Sequence, residues 1–130
     1  NRDGGPTPPI GISVPQAMYD DFVEICKPVK NINPDFPFEV KVAKPRKRPT
    51  STGGTDASVF AVEGVPTYGF TTDDIKGYNF SYGEIWHTER DLYTKNIPEY
   101  QEHTAVVTAI VALGVANLDK QLSREGMYKE

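Results

Sequence analysis

The stretch IGISVPQAMYDDFVEICKPV, residues 10–29, predicts the fold class. Its first five residues, 10–14, alternate in hydrophobicity as in a short strand. Pro15 suits the first turn of a helix. The apolar residues of the helical part recur at three- and four-residue spacing: Met18, Phe22, Ile25 and Val29. Pro28 is expected to end this helix, and FEVKVA, residues 38–43, indicates the next strand. The segment therefore predicts a strand–helix–strand unit.

The rest of the chain continues this alternation. TDASVFAVEG, residues 55–64, indicates a short helix, and VPTYGF, residues 65–70, indicates a buried strand. Residues 71–96 show no periodicity but are rich in aromatic side chains, which indicates a packed loop that lines a pocket. A last helix is predicted from Asn96, as its N-cap, to about Leu122. This order of elements predicts an α/β sandwich with a mainly parallel sheet.

Composition excludes several classes of function. The 130 residues suit one domain, and the net charge of −4 gives no reason to expect nucleic acid as a partner. The longest apolar run, residues 105–116, is too short to span a bilayer, and no basic-then-apolar amino terminus indicates a signal peptide. The single cysteine, Cys26, lies inside a predicted helix with no paired histidine, so neither a disulfide nor a thiol nucleophile is expected.

One basic segment stands out in this acidic chain. KPRKRPTSTGG, residues 44–54, contains four of the 14 basic residues. It is either a basic patch for an acidic partner or a solvated loop. The solvated loop is favoured, because no basic helix or stacking platform adjoins it.

Two residues are candidate metal ligands. His87 is followed by Thr88 and Asp91, and a hydroxyl or carboxylate close to a histidine can fix its tautomer and orient the other ring nitrogen. Asp3 precedes a glycine pair that would let a metal approach the backbone, although a plain turn aspartate has the same pattern. Asp56 is expected to accept hydrogen bonds from free N–H groups at a helix start. His103 is expected to be a surface or packing histidine.

Three stretches together resemble a known family. NRDGG, STGGTDASVFAVEGVPTYGF and IWHTERDLYTKNIPEYQEHTAVVTAIVALGVANL, in this order and spacing, resemble the C-terminal half of the di-zinc aminopeptidases of metallopeptidase family 28. The typical motifs of that family run N-x-D-x-x-G, G-S-D-H-x-x-F followed by G-I/V-P, and Y-H-T-x-x-D, before an amphipathic closing helix. The resemblance covers essentially the whole chain.

The resemblance implies a fold and a chemistry. The fold would be part of a three-layer α/β/α sandwich around a mixed, mainly parallel sheet. Two Zn²⁺ ions would activate water to remove N-terminal residues from peptide substrates. By motif position, Asp3 looks like a ligand of the first zinc and His87 like a ligand of the second. The other positions implied are Thr88, Asp91 and Asp56 as supporting or structural residues, and Tyr68 and Phe70 in the substrate pocket.

The chain also departs from the family pattern. Four of the six key residues of the family precede the N-x-D motif, so residues 1–130 are expected to be a C-terminal portion that is inactive alone. Trp86 replaces a tyrosine that hydrogen-bonds the tetrahedral intermediate, and Ala57 replaces the histidine of G-S-D-H. A tryptophan before the histidine also resembles glutaminyl cyclases, which share the fold.

A third alternative to the aminopeptidase and the glutaminyl cyclase is a non-catalytic binding or oligomerisation module. Because residues 105–116 are apolar nearly all round, another chain or a missing half is expected to cover this helix. The resemblance makes a secreted or periplasmic location plausible, although no targeting segment indicates one.

Overall fold

The computed structural model describes residues 5–129 and contains, within them, one mixed sheet in the order β2–β1–β3. The strands are β1 (Pro9–Val14), β2 (Glu39–Val42) and β3 (Phe70–Thr72). β1 runs parallel to β2, with Ile12 opposite Val40, and antiparallel to β3, with Ile12 also opposite Phe70. The chain is therefore a mixed α/β protein, as predicted. The sheet is mixed, as the family resemblance implies, but it is not mainly parallel, because one of its two strand pairs is antiparallel.

Four α-helices lie in the described part of the chain. They are α1 (Tyr19–Cys26), α2 (Ala57–Val62), α3 (Tyr82–Ile85) and α4 (Pro98–Ala116). Short 3₁₀ turns occupy Gln16–Met18, Lys27–Asn31 and Tyr93–Lys95. None of the helices within residues 5–129 is both long and apolar enough to cross a membrane.

The predicted strand–helix–strand unit is confirmed. β1 begins one residue before the predicted start, and β2 lies inside the predicted 38–43. The α-helical part ends at Cys26, two residues before Pro28, and a 3₁₀ turn carries the chain on to Asn31. Pro28 is tolerated there because it lies in the first turn, where its missing N–H costs little.

Three element boundaries were predicted wrongly. The strand expected at 65–70 begins only at Phe70, since β3 is defined by pairing with β1, and Pro66 in the stretch before it has no N–H to donate to a ladder. The last helix ends at Ala116, not near Leu122. Its N-cap is Ile97 and not Asn96. The predicted loop 71–96 is also partly helical, because it contains α3 and a 3₁₀ turn.

The core lies where α1 and α4 pack against each other and against the sheet. Its buried members are Ile12, Val14, Met18, Phe22, Cys26, Val29, Val107 and Met127. Burial raises the pKa of the Cys26 thiol to about 11, which keeps the thiol protonated at neutral pH. The close approach of β1 to β2 depends on Gly11, because a Cβ there would lie 2.5 Å from the Glu39 carbonyl oxygen.

Candidate functional site

A cavity of about 460 Å³ lies beside His87 and joins three parts of the chain. Its wall includes Gly5 and Pro6 ahead of β1, Trp86, His87 and Asp91 after α3, and Gln101 on α4. Gly5 stands two positions after Asp3 in the sequence. Asp3 itself lies outside the described residues. The structure therefore brings the last residue of the first motif to the same cavity as the histidine of the third.

The end of α3 determines the position of His87. The Thr88 hydroxyl donates to the carbonyl oxygens of Glu84 and Ile85, at 3.0 and 3.1 Å, and its backbone N–H donates to Ile85 as well. Thr88 thus closes the last turn of α3, directly after His87 in the chain. His87 has a φ of 56°, a left-handed conformation that is uncommon for a residue other than glycine. Such strained residues cluster at functional sites.

Aromatic rings form an exposed surface next to the imidazole. The Trp86 ring lies 4.5 Å from the His87 ring, centroid to centroid, and the Tyr82 ring is stacked on Trp86 at 6.3 Å. Trp86 is 56% exposed although it is the largest side chain in the protein. Tyr82 was not predicted as an individual site residue, although its spacing of four residues from Trp86 indicates neighbours on one helical face.

A second, open groove of about 680 Å³ adjoins the same rings from the side of α2. Asp56 and the glycine pair Gly53 and Gly54 line this groove together with Trp86 and His87. Asp56 is the N-cap residue of α2, as predicted, but its carboxylate makes no capping hydrogen bond to a described residue. That part of the prediction was wrong, because Asp56 already has helical φ and ψ whereas a capping residue needs an extended conformation. Its exposed carboxylate is left to face the groove.

Tyr68 and Phe70 lie elsewhere. The Tyr68 ring packs edge-to-face on Phe22 at 6.2 Å, and the Phe70 ring packs edge-to-face on Phe38 at 6.3 Å. Both side chains pack against the hydrophobic core. The structure does not bring either of them to the cavity beside His87.

The described residues alone do not fit a zinc ion. His87 and Asp91 line one cavity, but no group of three or more His, Cys, Asp or Glu side chains within residues 5–129 is arranged to hold a metal. A catalytic zinc takes about three protein ligands. Further donors would have to come from outside this part of the chain.

Comparison of the chain with protein-family models, with curated proteins and with solved structures finds no match. The resemblance to metallopeptidase family 28 therefore depends on the short motifs alone.

Proposed function

We propose that this chain forms part of the catalytic site of a zinc-dependent aminopeptidase similar to metallopeptidase family 28. Its mixed sheet and helices would be the C-terminal part of a three-layer α/β/α sandwich. One observation supports this proposal above the others: Gly5, Asp56 and His87, which belong to three separate motifs, meet around Trp86. The sequence separates the first and last of them by about 80 residues, so their meeting is a property of the fold.

His87 is the proposed metal ligand of the described residues. Its left-handed backbone and its place on a cavity wall set it apart from His103, which is buried in the core. By motif position His87 would bind the second zinc, and Asp3 is the proposed ligand of the first. Zinc, when bound, would supply an activated water and polarise the scissile carbonyl. The remaining donors would come from beyond residues 5–129.

The surroundings of His87 suit the N-terminus of a peptide. Tyr82 and Trp86 offer an apolar surface to the first side chain, and the exposed carboxylate of Asp56 in the adjoining groove can accept from an α-ammonium group. The apolar surface favours substrates with an apolar N-terminal residue.

The proposal is tested on the full-length protein by zinc content and by hydrolysis of an apolar aminoacyl-anilide. His87→Ala is expected to remove one zinc equivalent and most of the activity. Glu89→Ala is the matched control, because Glu89 is exposed and two positions away but does not line the cavity. A His87→Ala protein that keeps two zinc ions per chain and its activity would overturn the assignment.

A glutaminyl-cyclase-like acyltransferase is the second candidate, and Trp86 favours it. The exposed indole ring beside His87 offers a flat surface on which a forming five-membered lactam could pack. Cyclisation of peptides that begin with glutamine, measured beside anilide hydrolysis, separates the two reactions. Cyclisation without hydrolysis would replace the aminopeptidase proposal.

A further inference from the structure

A smaller cavity of about 120 Å³ lies at the other end of β1. The cavity beside His87 includes Gly5 and Pro6, which precede β1, whereas this one includes Ser13 and Pro15, at its end. A six-residue strand spans roughly 20 Å, so the two cavities are well separated. Ala43 also lines the smaller cavity and follows β2 directly. The carboxyl ends of two parallel strands thus meet here, which is where ligands of α/β proteins commonly bind.

Tyr68 lines this cavity and has a buried hydroxyl. Tyr68 is one of the lining residues, and its hydroxyl oxygen is buried without a hydrogen-bond partner among the described residues. Burial raises the pKa of Tyr68 to about 12 against the opposing effect of the nearby Arg46 charge, so the group stays protonated. A buried O–H without an acceptor is unfavourable, and an acceptor that entered the cavity would relieve it.

Arg46 supplies a positive charge that is held in place. Its Nη2 donates to the carbonyl oxygen and to the hydroxyl of Thr67, at 3.1 and 2.8 Å, and its guanidinium lies 5.8 Å from the centre of the Tyr128 ring. Its backbone pairs with Met127 and Lys129. A guanidinium has five N–H donors, so the two bonds to Thr67 leave others for a ligand.

Lys44 adds a second positive charge to the lining. Among the described residues, neither Lys44 nor Arg46 takes part in a salt bridge. Both belong to the basic segment 44–54, in a chain whose net charge is −4. Two positive charges without a salt-bridge partner among the described residues are thus found at a cavity that Tyr68 also lines.

We propose that this cavity binds a small oxyanion, a carboxylate or a phosphate group. Arg46 and Lys44 provide the charge, and the Tyr68 hydroxyl donates a hydrogen bond to an anion oxygen. The site does not depend on the aminopeptidase proposal, because none of these residues lines the cavity beside His87.

The test is an NMR titration of the full chain with inorganic phosphate and, separately, with acetate, at constant ionic strength. Saturable shifts are expected at the backbone amides of Lys44, Arg46 and residues 67–69. Tyr68→Phe and Lys44→Ala are each expected to weaken binding at least fivefold. Lys47→Ala is the matched control, since Lys47 has the same charge in the same segment but does not line the cavity, and its effect should stay below twofold.

Comparison of the two anions shows whether the cavity prefers a phosphate group or a carboxylate, because the preferred group should bind more tightly. The absence of saturable shifts with both anions would overturn the proposal. So would a Lys47→Ala protein that loses as much affinity as Lys44→Ala. Tyr68→Phe removes only an unpaired hydroxyl, and its melting curve without anion checks that it folds. Lys44→Ala alters an exposed side chain and tests the site even if Tyr68→Phe does not fold.

Discussion

The imidazole of His103 is stacked on the ring of Phe36, with ring centroids 4.3 Å apart and planes 25° apart. His103 is 3% exposed, and both of its ring nitrogens lack a hydrogen-bond partner among the described residues. Of the two predicted alternatives, a surface or a packing histidine, the structure shows the packing one. It attaches the first half of α4 to the loop that precedes β2.

This packing predicts a stability that depends on pH. Burial lowers the pKa of His103 below its ordinary value of 6.5, so the unfolded chain binds a proton at a higher pH than the folded one. Stability should therefore fall as the pH falls through 6.5, until the pKa of the folded state is reached. Urea unfolding at pH 7.5 and 5.5 measures this effect: the urea concentration at the midpoint of unfolding should be lower at pH 5.5.

His103→Phe identifies the group responsible. The variant keeps an aromatic ring against Phe36 but cannot bind a proton, so the difference between the two midpoints should shrink. His87→Gln, which alters the other histidine, is the control and should keep the full difference. An unchanged pH dependence in His103→Phe would assign the effect to other groups.

A second prediction concerns the hydroxyl of Tyr100. It donates to Asp74 Oδ1 at 2.8 Å and accepts from the backbone N–H of Lys76 at 2.8 Å, which joins the 74–80 loop to α4. Tyr100→Phe should lower the free energy of unfolding by about 1–2 kcal/mol, because a buried hydroxyl with two partners is lost. Hydrogen exchange at the Lys76 amide should also become faster.

Tyr78→Phe is the matched control for that change. The Tyr78 hydroxyl bonds Glu99, but the side chain is exposed, so its loss should cost clearly less than the loss of the Tyr100 hydroxyl. Equal losses in the two variants would mean that burial does not decide the strength of these bonds.

A third prediction concerns the contact of α4 with α1 at Gly114. A Cβ on Gly114 would lie 2.5 Å from Cγ2 and 2.9 Å from Cγ1 of Ile25. Alanine is favoured over glycine by about 1 kcal/mol in a helix, whereas overpacking a core costs about 1–3 kcal/mol. Because the atoms concerned are close to the Ile25 backbone and cannot turn away together, Gly114→Ala should be destabilising in chemical denaturation.

The double variant Gly114→Ala with Ile25→Ala tests the cause. Ile25→Ala removes both clashing atoms, so the two changes together should cost less than the sum of their separate effects. Additive losses would show that the clash with Ile25 is not what Gly114 avoids.

The sequence allowed the β1–α1–β2 unit to be predicted, because local alternation and three- to four-residue spacing determine it. β3 could not be placed in the same way. Its register depends on Ile12 of β1, which pairs with Phe70 at a separation of 58 positions. Likewise, the motifs identified His87 and Asp56, but their common groove and the left-handed backbone of His87 follow from packing and from the end of α3.

The outer face of α4 gives the last prediction. Tyr100, His103 and Val107 of this helix are buried, while the opposite side is apolar and exposed to solvent in the described chain. The exposed members are Ala105, Val106, Ala109, Ala112, Leu113 and Ala116. That another chain or another part of the protein covers this face stays a prediction. Since Leu113 is 64% exposed, Leu113→Glu should change the free energy of unfolding by no more than about 0.5 kcal/mol.

Val107→Glu on the inner face is the contrasting variant. Val107 is fully buried, so a carboxylate there would lose its hydration without gaining a partner and should prevent stable folding. Thermal unfolding by circular dichroism compares the two proteins. Sedimentation of Leu113→Glu beside the unaltered chain then reports on association, because a charge placed on a self-associating face should lower the sedimentation coefficient. A large loss of stability in Leu113→Glu would mean that the outer face is already covered.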